Sequence, residues 1–192
     1  MLRCISLITV GLLSVLPLRA VERFNEPGFH SELVTSMASY WPVGVAWPPD
    51  GRMFIWQKNG VVRVFKNGTL LETPFLDFYS KVNTDSDNGL LGLAFDPDFA
   101  NNGYVYLTYI LESGGTFEDP KTGRLARVTA DPANPDVMLP GSEVIIMDGF
   151  PVDRGTHVLG TIRLRPMAPC FSATAMARTC ASRTRTPSKR KI

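Results

Sequence analysis

The fold is decided by residues 87–106, which read Asp-Asn-Gly-Leu-Leu-Gly-Leu-Ala-Phe-Asp-Pro-Asp-Phe-Ala-Asn-Asn-Gly-Tyr-Val-Tyr. The almost wholly apolar run 92–95 predicts a short strand buried on both faces. The turn-forming residues at 96–98 and 101–103 follow, and Asn and Gly among them tolerate positive φ. β-Branched and aromatic residues from 104 to 109 predict a second strand. The stretch therefore reads as strand, turn, strand.

A similar stretch occurs earlier in the chain. Residues 44–55 read Gly-Val-Ala-Trp-Pro-Pro-Asp-Gly-Arg-Met-Phe-Ile, which again predicts a strand, a Pro-Asp turn and a second strand. Gly44 and Gly92 are 48 residues apart, within the roughly 40–50-residue period of radial β-repeats. With 16 Gly, 15 Pro and no long helical periodicity in 192 residues, the chain is predicted to be all-β. We interpret the two stretches as equivalent strands of successive blades in a β-propeller.

Further strands are predicted from β-branched and alternating residues at 61–65, 124–130 and 143–147. The Asn-Gly pairs at 59–60 and 67–68 predict two-residue hairpin loops of type I′, in which both central residues have positive φ.

The first 20 residues have the pattern of a secretory signal peptide. Arg3 precedes the apolar run 5–18, and Ala20 is a small residue suited to a cleavage point. The apolar run is shorter than the about 20 residues that a membrane-spanning helix needs. We therefore expect cleavage of residues 1–20, a periplasmic or secreted product, and no stable membrane insertion afterwards; an uncleaved anchor is the alternative.

Charge is distributed unevenly along the chain. The formal net charge is +2, but eight basic and no acidic residues lie between Arg163 and the C-terminus, which leaves 12 basic against 18 acidic residues elsewhere. A basic tail is typical of nucleic-acid or membrane binding. Export and the lack of interleaved aromatic residues argue against a nucleic-acid partner. We expect residues 21–164 to form the propeller part and residues 165–192 to lie outside it.

The genetic code offers an explanation for residues 165–192. After a shift of one base, the pairs Met167-Ala168 and Met176-Ala177 each become Asp, Asn, His or Tyr followed by an obligatory Gly. The shifted frame can read Pro-Asp-Gly-Thr-Leu-Phe-Leu, which repeats the pattern of residues 49–55. We hypothesise that this segment is out of frame and that the chain is a truncated, inactive product of about three blades. A disordered basic tail is the alternative.

The residues of the second stretch resemble a known family. Gly-Leu-Leu-Gly-Leu-Ala-Phe at 89–95, Pro-Asp-Phe at 97–99 and Asn102 are similar to the signature of soluble quinoprotein glucose dehydrogenases, in the wider glucose/sorbosone dehydrogenase family. The resemblance extends over about residues 33–164. It implies a six-bladed β-propeller, pyrroloquinoline quinone (PQQ) and calcium as cofactors, an aldose oxidised at its anomeric hydroxyl, and an electron acceptor. In the family the cofactor-binding residues come later, so we expect them to be absent from this chain.

The resemblance also assigns candidate site residues. A family histidine just before a Gly-apolar strand acts as general base, and His157 falls at that position. Imidazole suits this role because its unperturbed pKa is about 6.5. The sequence departs from the family at Leu159, which replaces the first of two glycines, and at Asp87-Asn88, where a Gln or Glu near the sugar is usual. We predict that the amide of Asn88 binds a sugar hydroxyl.

Residues 83–89 read Asn-Thr-Asp-Ser-Asp-Asn-Gly. Oxygen-bearing side chains in this pattern are typical of calcium-binding loops. The EF-hand pattern fails, because Gly comes one place late and Ala94 replaces the closing Glu. We expect a solvated acidic loop here and assign no metal ligands. A function of another class also stays open: an exported, non-catalytic β-propeller that binds carbohydrate or a protein partner.

Overall fold

The computed structural model describes residues 24–37, 41–152 and 158–164. The chain divides into two compact units, Met1–Ser36 and Met37–Ile192. In the first unit, the described residues contain a turn and neither a helix nor a strand. Residues 32–35, whose composition allows a first strand, do not form one, and all of the described strands lie in the second unit. The following paragraphs concern that unit alone.

The described part of the second unit contains nine strands and one helical turn. Their bounds are β1 Pro42–Ala46, β2 Met53–Gln57, β3 Val61–Lys66, β4 Thr69–Leu70, β5 Leu76–Asp77, β6 Leu90–Phe95, α1 Phe99–Asn102, β7 Tyr104–Ile110, β8 Lys121–Thr129 and β9 Val144–Val152. Within the described ranges, no helix has the length and apolar character needed to cross a membrane.

The strands form two antiparallel sheets. The first has the order β1-β2-β3-β4, with β5 paired to β3, and the second has the order β6-β7-β8-β9. Each sheet contains a meander of four consecutive strands, which is the arrangement of a propeller blade. The predicted all-β, partial-propeller fold is confirmed.

The two sheets share the register of their first hairpin. Gly44 pairs with Trp56 and Gly92 pairs with Thr108, and in both sheets the pairing shifts just before the glycine. A Cβ atom at either glycine would overlap the side chain of its partner, so only glycine fits. The two stretches singled out in the sequence are therefore equivalent strands of successive blades, as predicted.

The core lies between the two sheets and is crossed by a row of aromatic rings. Phe54 of the first sheet meets Phe75 at 5.0 Å and Phe95 of the second sheet at 4.9 Å between centroids. Phe99 of α1 continues the row, 4.8 Å from Phe95. All three contacts are edge-on, the geometry that the ring quadrupoles favour. The row joins β2 to the turn between β6 and β7.

Two local predictions concern Asn-Gly turns, and one of them is corrected. At 67–68 both Asn67 (φ 52°) and Gly68 (φ 76°) are left-handed, as a type I′ turn requires. At 59–60 only Gly60 is left-handed (φ 89°), and its N–H donates to the carbonyl of Gln57 at 3.1 Å. This connection is a type I turn followed by a left-handed glycine, so the type I′ prediction is wrong there.

The outer strands are longer than predicted. β8 begins at Lys121 rather than 124, and β9 continues to Val152 instead of ending near 147. Register shifts near Leu125 interrupt the alternation that the prediction relied on. Pro151 is tolerated because β9 is the edge strand of its sheet.

Candidate functional site

The candidate site lies at the end of the sheets where β2 ends and β6 begins. The N–H of Leu90 donates to the carbonyl of Lys58 at 2.9 Å, and the N–H of Ile110 donates to the carbonyl of Gly89 at 3.1 Å. A Cβ atom at position 89 would lie 2.7 Å from Lys58 Cγ and 2.8 Å from its carbonyl oxygen. Only a glycine lets the two blades approach this closely. The loop before β6 is thereby held against the end of the first sheet.

Asn88, predicted to bind the sugar, is fully buried. Its Nδ2 donates to Oδ1 of Asn83 at 2.7 Å, and its backbone N–H donates to the carbonyl of Asp85 at 2.9 Å. Its Oδ1 has no hydrogen-bond partner among the described residues. A buried acceptor without a donor costs free energy, and in this structure the oxygen is also closed to solvent. The contact with a sugar stays a prediction.

Asn83 organises this loop, and sequence reasoning did not identify that role. Its side chain is 2% exposed. Nδ2 donates to Asp85 at 3.2 Å and to Oε2 of Glu112 at 2.9 Å, while Oδ1 accepts the Asp85 N–H at 3.1 Å. Its backbone N–H donates to the carbonyl of Ile110 at 2.9 Å. The spacing of Asn83 and Asp85 is typical of the local turn. Glu112 lies 29 residues further along the chain, and no sequence pattern indicates that it bonds to Asn83.

The same loop is not arranged as a cation site. The carboxylates of Asp85 and Glu112 accept hydrogen bonds from the amide N–H groups of Asn83, which lie where a cation would have to bind. Across residues 24–37, 41–152 and 158–164, no group of three or more His, Cys, Asp or Glu side chains could hold a metal ion. Residues 85–87 are exposed, but Asn83, Asn88 and Gly89 are buried, so the loop is solvated only in its middle and not over the whole predicted range.

His157 lies outside the described residues, as do the predicted signal peptide (1–20) and the segment 165–192. The chain just after His157 is described. The hydroxyl of Thr108 donates to the carbonyl of Gly160 at 2.8 Å. A Cβ atom at position 123 would lie 2.5 Å from Leu159 Cδ1. Leu159, which departs from the family glycine, thus occupies space that Gly123 leaves free.

Polar contacts between side chains brace this end of the second sheet. The hydroxyl of Tyr109 donates to Glu143 at 2.7 Å, and the other oxygen of Glu143 pairs with Lys81 at 2.6 Å. Burial and the hydrogen bond to Glu143 raise the pKa of Tyr109, so its hydroxyl remains a donor. Lys121, 2% exposed, donates to the carbonyl of Thr116 at 2.9 Å. These contacts hold the loops around the site.

The opposite end of the sheets carries a cleft of about 440 Å³ between α1, the β1–β2 turn and residues 130–135. Arg52 lines it and is 6% exposed; it pairs with Asp50 at 2.7 Å and with Asp136 at 2.9 Å. Burial acts to raise the pKa of Asp136, but the bonds from Lys66 and Arg52 outweigh it and lower that pKa. Because Arg52 is already paired on both sides, we interpret this cleft as part of the joint between the blades.

The comparison with protein families identifies the chain. A model described as glucose/sorbosone dehydrogenase matches residues 40–183. The chain belongs to this family. The matched range covers nearly all described residues of the second unit and continues into the segment 165–192.

Individual relatives agree with the family. Quinoprotein glucose dehydrogenase B of Acinetobacter calcoaceticus is 28% identical over 126 residues, which are 64% of this chain and 25% of that protein. Human hedgehog-interacting protein is 36% identical over 75 residues, 35% of this chain and 11% of that protein. A solved structure from Thermus thermophilus, described as a putative oxidoreductase (glucose dehydrogenase), is 27% identical to this chain with a TM-score of 0.52. The match covers 65% of this chain and 33% of that one. The chain therefore spans a quarter to a third of the length of these two dehydrogenases.

Proposed function

We propose that this chain is the N-terminal part of a quinoprotein oxidoreductase. The enzyme oxidises the anomeric hydroxyl of an aldose and transfers a hydride to PQQ. The observation that carries the proposal is the glucose/sorbosone dehydrogenase match over residues 40–183. The repeated register at Gly44 and Gly92 supports it, because it supplies the blades on which the family site is built. The pattern of residues 1–20 supports export to the periplasm or the exterior.

Two residues of this chain are proposed to act on the sugar. His157 takes the proton of the anomeric hydroxyl as general base. Asn88 accepts a hydrogen bond from a sugar hydroxyl through its Oδ1, the buried atom without a partner among the described residues. When bound, PQQ supplies the hydride acceptor, and a separate electron acceptor completes the cycle.

Neither PQQ nor calcium is assigned to residues of the described part. Calcium needs several oxygen ligands, and no cluster of acidic side chains in the described ranges provides them. An anionic cofactor needs cationic side chains, and Lys58, Lys81 and Lys121 are already bonded to protein oxygens. We therefore expect the cofactor-binding residues outside the described part, and we expect the chain as it stands to be inactive.

A dye-linked assay tests this proposal. The chain and a version continued in the alternative reading frame after Leu164 are each supplied with PQQ, calcium and a panel of aldoses. We expect no turnover from the chain and aldose-dependent dye reduction from the continued protein. His157→Ala should lower that rate by about 10²- to 10⁴-fold. Full activity of His157→Ala, or a continued protein that binds quinone without turnover, would contradict the proposal.

Similarity to hedgehog-interacting protein favours a second candidate, an exported, non-catalytic β-propeller that binds carbohydrate or a protein partner. Leu159 is consistent with it, because a leucine replaces a family glycine beside the proposed base. Saccharide or protein binding by the continued protein, without dye reduction at any aldose tested, supports this candidate over the dehydrogenase. Sequencing the DNA beyond the codon for Leu164 tests the predicted frameshift separately.

A further inference from the structure

Trp41 is an exposed aromatic residue at the candidate site. It directly precedes β1, and 68% of its surface is exposed. Its carbonyl accepts the N–H of Lys58 at 2.9 Å. The carbonyl of Lys58 in turn accepts the N–H of Leu90 at 2.9 Å. Two consecutive backbone hydrogen bonds therefore connect Trp41 with the first residue of β6, so the indole lies at the same end of the sheets as the loop containing Asn88.

Lys58 contacts one face of this indole. Its Nζ lies 5.3 Å from the centroid of the Trp41 ring, within the range of a cation–π contact. The same ammonium donates to the carbonyl of Ser86, and the stem of Lys58 lies against Gly89. One face of the ring is thus turned to the charge, and the large exposed fraction leaves the other face open to solvent.

The groups around this open face have the chemistry of a saccharide contact. The face of an aromatic ring carries partial negative charge and attracts groups with partial positive charge. The axial C–H groups of a pyranose ring carry such a charge. The hydroxyl groups of a pyranose need polar partners at its rim. The exposed Asp87 lies next in the chain to Ser86, whose carbonyl Lys58 contacts. Lys58 thus connects the indole with a loop that carries exposed polar side chains, and an apolar face near such a loop fits a pyranose better than a purely apolar ligand.

We propose that Trp41 is a carbohydrate-stacking residue whose open indole face receives the apolar face of an aldopyranose ring. The inference rests on the proposed function for its substrate class, but it concerns binding and not oxidation. It adds a specificity-determining residue to the site: aldoses that present a continuous C–H face bind, and open-chain polyols do not gain the contact.

Trp47 provides a matched control. It follows the opposite end of β1 and is 62% exposed, and among the described residues no cation lies over its ring. Binding of glucose and maltose to the full chain, without PQQ, is measured by calorimetry for the unsubstituted protein and for Trp41→Ala, Trp41→Phe and Trp47→Ala. Circular dichroism checks that each variant is folded.

We expect Trp41→Ala to weaken saccharide binding about tenfold, equivalent to about 1.4 kcal/mol, whereas Trp41→Phe retains most of it and Trp47→Ala changes it by less than about twofold. Sorbitol should bind weakly to all four proteins. Equal binding by Trp41→Ala and the unsubstituted chain, equal loss in Trp47→Ala, or no saccharide binding by the unsubstituted chain would overturn the inference. Failure of dye reduction with Trp41-dependent binding intact would instead contradict only the proposed oxidation.

Discussion

Leu159 packs directly over Gly123. A Cβ atom at position 123 would lie 2.5 Å from Leu159 Cδ1 and 3.0 Å from its Cγ. We therefore predict that Gly123→Ala forces Leu159 out of its position and lowers the free energy of unfolding by about 1–3 kcal/mol, the usual cost of overpacking. Urea unfolding followed by circular dichroism measures the change.

A double-mutant cycle with Leu159→Ala isolates this contact. The smaller side chain at 159 should remove most of the penalty of Gly123→Ala. Additive effects of the two substitutions would show that the penalty at position 123 arises elsewhere. In an active, continued protein the same pair reports on His157, which lies two residues before Leu159.

Asn83 is predicted to be the main support of the loop before β6. Asn83→Ala removes the donor to Asp85 and Glu112 and leaves Nδ2 of Asn88 without its acceptor. Because a buried polar group without a partner costs about 1–3 kcal/mol, we expect a loss of about 2 kcal/mol in urea unfolding. The exposed Asp87→Asn is the control and should stay within about 0.5 kcal/mol. A similar small change for Asn83→Ala would contradict the assigned role.

The pairing of Asp136 predicts a dependence of stability on pH. Despite partial burial, bonds from Lys66 (2.8 Å) and Arg52 (2.9 Å) lower its pKa below the ordinary 3.8. A carboxylate with a lowered folded pKa stabilises the protein above its unfolded pKa, and this contribution is lost as the pH falls through the folded pKa.

Asp136→Asn should therefore cost about 2 kcal/mol at neutral pH, and its difference from the unsubstituted protein should shrink as the pH falls below 3.8. Denaturant midpoints from neutral to strongly acidic pH measure this difference. A difference that stays constant over the whole range would show that the carboxylate charge does not contribute.

Substitution of Phe54 is predicted to destabilise the protein strongly, because this ring contacts aromatic rings on both sides of the core. It is fully buried between Phe75 and Phe95. Phe54→Ala should lower the free energy of unfolding by about 3–5 kcal/mol. Phe117→Ala, at a ring that is 42% exposed, is the matched control and should have a small effect. Comparable losses at both positions would contradict the location of the core.

Sequence patterns predicted the strands best where alternation and turn residues agree. β6 lies within the second of the two stretches that share a Gly-apolar strand and an Asp-containing turn, and β1, β2 and β7 each overlap one of them. β8 and β9 were underpredicted because register shifts break the two-residue period. The turn at Asn59-Gly60 was mispredicted because a dipeptide does not specify the number of loop residues that the flanking strand register imposes.

The sequence by itself determined that the chain is all-β, that residues 44–55 and 92–106 are equivalent, and which family they belong to. These features follow from local preferences of Gly, Pro and β-branched residues and from a motif read in order along the chain. Only the tertiary structure decided that Asn88 is buried, that Asn83 bonds to Glu112 and that Lys58 contacts the ring of Trp41. Each of these contacts joins residues that are 5 to 29 positions apart in the chain and meet at one end of two packed sheets. Strand register and the packing of the blades decide which residues meet there, and local sequence does not encode either of them.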